Sequence, residues 1–220
     1  MMDLERFRLR RFLESLPAGE IERVAAPAEL ADVAASLEGN SRAVWFSSAG
    51  GAELAGNVAA SRSRLAAALG TSLPELLAEV RRRLGTGQEV LEVRDAPVQQ
   101  LVFTGEADLT ALPVHLQHGF DGAPYISSAM DITRDPATGL TNVGIRRLML
   151  RGRREAGVDL NAPSDLRAIY QSAVQRGERL PIAFAVGSHP ADHVAATMRL
   201  PGDELGLIAR LRGAPLAVVK

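Results

Sequence analysis

Cysteine is absent from the 220 residues, which excludes disulfides, thiolate nucleophiles and thiolate-ligated metals in this chain. Aromatic residues are few: six Phe, two Tyr and one Trp. Trp45 and the others read as core rather than as a surface for stacking bases. Neither sign of charge dominates. The formal net charge is −1, so nothing favours attraction to nucleic acid or to an anionic membrane. No stretch approaches the roughly 18 consecutive apolar residues of a membrane span. The opening Met1-Met2-Asp3-Leu4-Glu5-Arg6-Phe7 lacks the apolar core of a signal peptide. The expectation is a soluble, cytoplasmic protein with no nucleic-acid or membrane partner.

What is present reads as an α/β chain. Leu9, Phe12, Leu13 and Leu16 recur at helical spacing until Pro17 and Gly19 end the pattern. Residues 43–46 read as a short buried strand, and Gly50-Gly51 after it as a turn, since no phosphate-loop spacing or Lys follows. Helices are expected over 61–69 and 74–84, the second with Ser72 and Glu75 spaced for a capping box. From residue 98 the texture changes, with strands expected over 98–103, 125–133 and 141–150. The turn-rich segment Arg134-Asp135-Pro136-Ala137-Thr138-Gly139 makes a hairpin of the last two. A helix over 163–176 follows, its apolar stripe formed by Leu166, Ile169, Tyr170, Ala173 and Val174. Residues 180–186 have the length and continuity of a buried strand. Helices near 190–198 and 203–211 come next, and 216–220 reads as the start of a strand. An extended terminal segment needs a sheet partner, so the expectation is a domain that continues beyond this chain. The shift near residue 105 divides the chain into an amino-terminal segment, 1–105, and a second part, 106–220.

The most specific stretch is Asp121-Gly122-Ala123-Pro124-Tyr125-Ile126, then Thr133-Arg134-Asp135-Pro136, Gly139, and Asn142-Val143-Gly144-Ile145-Arg146-Arg147. It resembles the UbiD-family succession of a Gly-Pro-Tyr-Ile strand, a Thr-Arg-Asp-Pro turn and an Asn-x-x-x-x-Arg strand, with an extra Ala123. Asp3-Leu4 with Phe7, Ser61-Arg62 through Leu69-Gly70, and 181–186 followed by His189-Pro190-Ala191 resemble further family segments in the same order. The resemblance implies a helix-rich amino-terminal segment followed by part of a flavin-binding split β-barrel. It implies reversible, non-oxidative decarboxylation of an aromatic or α,β-unsaturated acid on prenylated FMN. It places the metal ligands at Asn142, Asp165 and Glu204, with Asp165 where the family commonly has His, and the flavin-proximal catalytic Arg at Arg147. Val143, Gly144, Ile145, Arg146 and Met198 fall on cofactor-binding positions, Met198 in a segment that helps hold a monovalent cation such as K+. An all-oxygen set suits Mg2+ or Mn2+. The family's proton-transfer glutamates, second domain and dimer contacts have no counterpart here. The resemblance therefore implies an oligomer in which a second subunit or missing half completes the site, and a chain that does not turn over alone. The alternative is a non-catalytic subunit that binds a flavin phosphate or a partner.

The same residues have plainer readings. In a regular strand Asn142 shares a face with Gly144 and Arg146, so Arg146 rivals Arg147 unless a bulge, most naturally at Gly144, intervenes. Asp165 and Glu204 are ordinary acidic residues for the first turn of a helix. Asn142 suits the closing of a hairpin turn. Arg151, Arg153 and Arg154 read as a solvated strand end. His189 and His193 have a zinc-like spacing, but the third ligand and general-base Glu of a zinc protease are absent.

Overall fold

The structure, a computed structural model, describes Asp3 and residues 5–219; Leu4 of the opening motif and Lys220 of the terminal strand lie outside the described residues. In chain order the elements are α1 (Leu9–Ser15), β1 (Ile21–Val24), α2 (Leu30–Leu37), β2 (Ala43–Ala49), β3 (Ala52–Gly56), α3 (Arg62–Ala68), α4 (Leu76–Leu84) and β4 (Val90–Glu92). They continue with β5 (Tyr125–Arg134), β6 (Thr141–Gly152), β7 (Glu155–Gly157), α5 (Asp165–Gln175), β8 (Ala183–Ala185), α6 (Pro190–Ala196), α7 (Glu204–Arg212) and β9 (Leu216–Val218). The fold is α/β, with three separate sheets and no closed barrel among the described residues. No helix is long and apolar enough to cross a membrane among the described residues.

The amino-terminal segment is richer in strand than its sequence texture implies. Its sheet has the order β1-β2-β3, with β1 parallel and β2–β3 antiparallel around the Gly50-Gly51 turn. Phe12, Leu13, Leu16, Ile21 and Ala43 bury one side of it, and Val33, Val44, Phe46 and Ala49 the other. Both periodicities, 3.6 in α1 and two in β2, put their apolar residues into these clusters. Ser61 caps α3 as its type and place predict, accepting from Ser63 N at 3.2 Å. At α4 the capping box does not form: the helix starts at Leu76, and Ser72 Oγ instead donates to the Glu75 carboxylate at 3.0 Å.

The second sheet has the order β7-β6-β5-β8 and is built on the β5–β6 hairpin. Its turn is closed by Asp135, which accepts from Ala137 N and Thr138 Oγ1, each at 2.9 Å, while Gly139 takes φ +73°. Ala129 pairs with Arg146 and Ile126 with Leu148, so a bulge at Ser127-Ser128 faces Arg147. The irregularity thus lies in β5 and not at Gly144. Gly144 is needed for another reason: a Cβ there would meet Asp131 Oδ1 at 2.8 Å.

Three further expectations are corrected. Residues 98–103 form no strand; Pro97–Gln99 is a 3-10 turn, and Val98, Leu101, Val102 and Phe103 are exposed. A β-branched run without a neighbouring strand has no ladder to join, and Pro97 has already turned the chain. Only Ala183–Ala185 of 180–186 is strand, and it is the sheet's edge, so Val186 is exposed rather than buried. On α5 the buried stripe is Leu166, Ile169 and Ala173, with Tyr170 and Val174 outside it.

β9 has its sheet partner. It pairs in parallel with β4, Val90 with Leu216 through Glu92 with Val218, joining the segments on either side of residue 105. Leu69 of the amino-terminal segment enters one apolar cluster with Met130, Val143, Ala191, Leu207, Leu211 and Leu216. That cluster seats α6 and α7 against β5 and β6, and so fixes their ends relative to the edge of β6.

Candidate functional site

β7 pairs with β6 only from Met149 to Gly152, so no named strand covers the edge of β6 before it. The backbone there is met by side chains. Thr141 N donates to Asp203 Oδ2 at 2.8 Å, and Val143 N to Glu204 Oε2 at 2.5 Å. Asp203 also caps α7, accepting from Leu205 N at 3.0 Å, so one carboxylate joins the helix start to the strand edge. By the two-residue alternation of a strand, the Ile145 N–H projects from the same edge.

A cavity of about 230 Å3 opens along this edge. Asn142, Val143, Gly144, Ile145 and Arg146 form one wall. The start of α5, with Pro163, Ser164 and Asp165, faces them, together with Ala196, Thr197, Met198 and Arg199 after α6, and Glu204 at the start of α7. Eight of the nine residues that sequence resemblance singles out therefore share one cavity: Asn142, Val143, Gly144, Ile145, Arg146, Asp165, Met198 and Glu204. They come from three stretches of chain, brought together by the hairpin and two helix starts. The starts of α5 and α7 both lie at the cavity, and each is capped by its own side chain: Ser164 accepts from Arg167 N at 3.2 Å and Asp203 from Leu205 N at 3.0 Å.

Arg147 stands apart. It does not line this cavity; its guanidinium lies 5.8 Å from the centroid of the Tyr125 ring, and the residue is exposed. Tyr125 lines a larger cavity of about 610 Å3 with Ser128, His115 and His193.

The acids have distinct partners. Asn142 does not close the hairpin turn; its Nδ2 donates to Glu204 Oε2 at 3.0 Å, leaving its carbonyl oxygen as an acceptor. Burial raises the Glu204 carboxyl above its ordinary range, against the pull of the Val143 N–H bond. Asp165 accepts from Arg199 Nη2 at 2.5 Å. The donor set of Asn142, Asp165 and Glu204 is entirely oxygen, which matches a hard divalent cation.

Sequence reasoning missed three residues. Asp203 and Arg199 carried no signal beyond their types. Asp131 did carry one: an acidic residue within an apolar strand. It is fully buried, its pKa raised by that burial against the opposing charge of Arg146. The histidines are structural or local. His189 Nδ1 accepts from Ala191 N at 3.2 Å to cap α6, packs edge-on to Phe7 and Phe12, and has its pKa pushed down to about 4 by burial. No group of three or more His, Asp or Glu is arranged as a metal site among the described residues. A cation here would therefore need the Asn142 carbonyl or a ligand's own oxygens to complete its shell. Arg153, expected at a solvated strand end, is exposed and pairs with Asp108 at 2.8 Å.

Residues 89–220 match the family model described as UbiD, 3-octaprenyl-4-hydroxybenzoate carboxy-lyase Rift-related domain. An anhydromevalonate phosphate decarboxylase of Methanosarcina mazei is 32% identical over 176 residues, 80% of this chain and 41% of that protein. An uncharacterized Rhodospirillum rubrum protein encoded in the cooM 5′ region is 32% identical across 96% of this chain and 49% of its own length. Among solved structures, an evolved dimeric form of the UbiD-class enzyme HmfF from Pelotomaculum thermopropionicum, in complex with prFMN, superposes with a TM-score of 0.89 at 30% identity. That match covers 97% of this chain and 52% of HmfF. The vanillic acid decarboxylase of Sedimentibacter hydroxybenzoicus in its closed form gives a TM-score of 0.89 at 27% identity, over 97% of this chain and 50% of that one. The chain spans about half the length of the relatives it matches.

Proposed function

The chain belongs to the UbiD family, and from that premise we propose that it is the cofactor-phosphate-binding part of a decarboxylase that uses prenylated FMN on an aromatic or α,β-unsaturated acid. The reaction is reversible and non-oxidative. One observation carries the reading: Asn142, Asp165 and Glu204, distant in sequence, converge on one cavity at an open strand edge. Their oxygens fit a divalent cation, Mn2+ or Mg2+, which would in turn hold a phosphate. The cavity's acids are Asp165 and Glu204, with Asp131 behind them, and its cations are Arg146 and Arg199. Such a balance offers a dianion little net attraction, so a bound metal ion would strengthen phosphate binding there.

The prenylated flavin supplies the electron sink for CO2 loss. The chain's own residues bind and orient. Asn142, Asp165 and Glu204 would hold the cation, and the Ile145 N–H would be available to a phosphate oxygen. The carbonyls of Ala196 and Thr197, with Met198, suit a monovalent cation such as K+. Arg147, on the opposite face of β6, engages the substrate carboxylate or orients a proton donor. Because the chain spans half of its relatives' length, we propose that a second polypeptide, or the remainder of a longer protein, supplies the acid–base partner for Arg147. A second reading, a subunit that binds flavin phosphate without catalysis, is favoured by the Arg199 contact that occupies Asp165.

The test is purification from cells that also make prenylated flavin, with metal analysis, visible spectrum and intact mass. Bound flavin and manganese within an assembly that releases CO2 from an aromatic or unsaturated acid supports the decarboxylase. Bound flavin and metal with no CO2 release from that assembly supports the second reading. A colourless, metal-free assembly contradicts both.

A further inference from the structure

Asp131 is fully buried, and neither carboxylate oxygen has a hydrogen-bond partner among the described residues. On that face of the sheet it is flanked by apolar Ala129 on β5 and Phe184 on β8, with Thr133 on β5 and Asn142 and Arg146 on β6 as the polar neighbours. An aliphatic side chain would suit such a place, and a buried carboxylate there is costly. The glycine opposite compounds the oddity. Position 144 is vacant of a side chain where any Cβ would press on the Asp131 oxygens, so two positions are given over to one carboxylate.

What that carboxylate touches is Arg146, whose Nε lies 3.1 Å from Oδ1. Nε is buried with no hydrogen bond, whereas Arg146 lines the cavity and its side chain keeps 22% of its exposure. The two terminal nitrogens of the guanidinium have no protein partner among the described residues. A buried ion pair of this kind adds little stability over an apolar pair of the same size. What it does do is fix the guanidinium on the cavity wall, with its terminal fork free. That fork matches two phosphate oxygens.

We propose that Asp131 is a positioning residue that holds Arg146 on the cavity wall, where the guanidinium is a second, metal-independent anchor for a phosphate monoester. This rests on the reading that the cavity takes a flavin phosphate, and adds the group that binds it before a metal ion does. The fixed positive charge offsets part of the repulsion from Asp165 and Glu204, so a phosphate docks while the divalent site is still empty. Arg199 does not serve equally, because Asp165 already engages one of its terminal nitrogens, whereas Asp131 meets Arg146 at Nε.

The experiment measures binding of FMN and of riboflavin, which lacks the phosphate, to the full chain by flavin fluorescence, once in a chelator and once with Mn2+. The wild-type protein is expected to prefer FMN to riboflavin in both conditions. Arg146→Met should lose about tenfold or more in FMN affinity in the chelator, and less with Mn2+, with riboflavin unchanged. Arg146→Lys should recover part of the loss. Asp131→Val, which leaves the guanidinium in place but untethered, should weaken metal-free FMN binding about three- to tenfold. The double variant Asp131→Val with Arg146→Met removes both charges together. It should unfold at the wild-type urea midpoint or above it, yet bind FMN as weakly as Arg146→Met, which separates anchoring from folding. If the double variant binds FMN in the chelator as wild type does, the inference is overturned while the metal-dependent reading stands. If wild type fails to prefer FMN even with Mn2+, the phosphate reading itself is overturned, and the inference with it.

Discussion

Two buried charges divide the molecule. Arg64, in the amino-terminal segment, is 1% exposed and saturated: it donates to the carbonyls of Val58 and Asn57 at 3.0 Å, to Ser41 O at 2.9 Å and to the Glu20 carboxylate at 2.8 Å. Asp131, behind the cavity, is 0% exposed; it faces Arg146 Nε at 3.1 Å but accepts no hydrogen bond among the described residues. A satisfied buried charge ties β1, β2 and α3 together. One held by a single ion pair returns little stability, and such groups concentrate where a ligand is to be met. The first charge serves the fold; the second, on the proposed reading, serves the cavity.

The largest effect should come from the saturated charge. Arg64→Met leaves the Glu20 carboxylate and the surrounding carbonyls without their donor, and should cost about 3–5 kcal/mol in urea unfolding. A loss below about 1 kcal/mol would erase the contrast with Asp131.

His189 sharpens the same contrast through pH. Its folded pKa of about 4 lies below the ordinary 6.5, so the folded state binds fewer protons than the unfolded state. Its contribution is therefore complete above pH 6.5 and declines as pH falls toward 4, by about 3 kcal/mol in total. His189→Asn keeps a capping oxygen for α6 but does not titrate. Its stability should fall less steeply than the wild type's over that window, as read from urea midpoints at several pH values; parallel curves would refute the assignment.

Gly144→Ala probes the binding region directly. The added methyl meets the fully buried Asp131 Oδ1 at 2.8 Å, so the cost should be about 1–3 kcal/mol. The same substitution combined with Asp131→Val should cost appreciably less, a coupling that a double-mutant cycle measures. The smallest effect belongs to the exposed segment after β4: Phe103→Ser, at a residue 72% exposed, should change stability by no more than about 0.5 kcal/mol. A larger change would mean that this segment is packed in solution.

The difference between the regions also sets what the sequence discloses. Helical spacing at Leu9, Phe12, Leu13 and Leu16, and the turn chemistry of Asp135 and Gly139, act locally, so they were readable along the chain. The candidate site residues were readable only as an ordered succession that resembles a family, because Asn142, Asp165 and Glu204 each have an ordinary local reading on their own. Non-local facts were not readable. Whether residues 98–103 or 180–186 form buried strands depends on which strand lies beside them. The pairing of β4 with β9 spans more than a hundred residues. The bulge that faces Arg147 sits in the partner strand, at Ser127-Ser128, where nothing in the sequence of β6 could disclose it. Asp131 was legible only as an anomaly of type, since its meaning lies in Gly144 and Arg146 across the ladder.

The central claim is that the cavity beside β6 holds a phosphate through a divalent cation bound by Asn142, Asp165 and Glu204. Phosphorus NMR of FMN with the full chain, titrated with Mn2+, tests it most directly, because the paramagnetic ion broadens only a phosphate it closely approaches. The account predicts that the bound phosphate line disappears at about one equivalent of Mn2+ in the wild-type protein, and that Glu204→Gln needs a large excess to produce the same effect. A phosphate line that stays sharp in the wild-type protein, or broadens identically in Glu204→Gln, would contradict it.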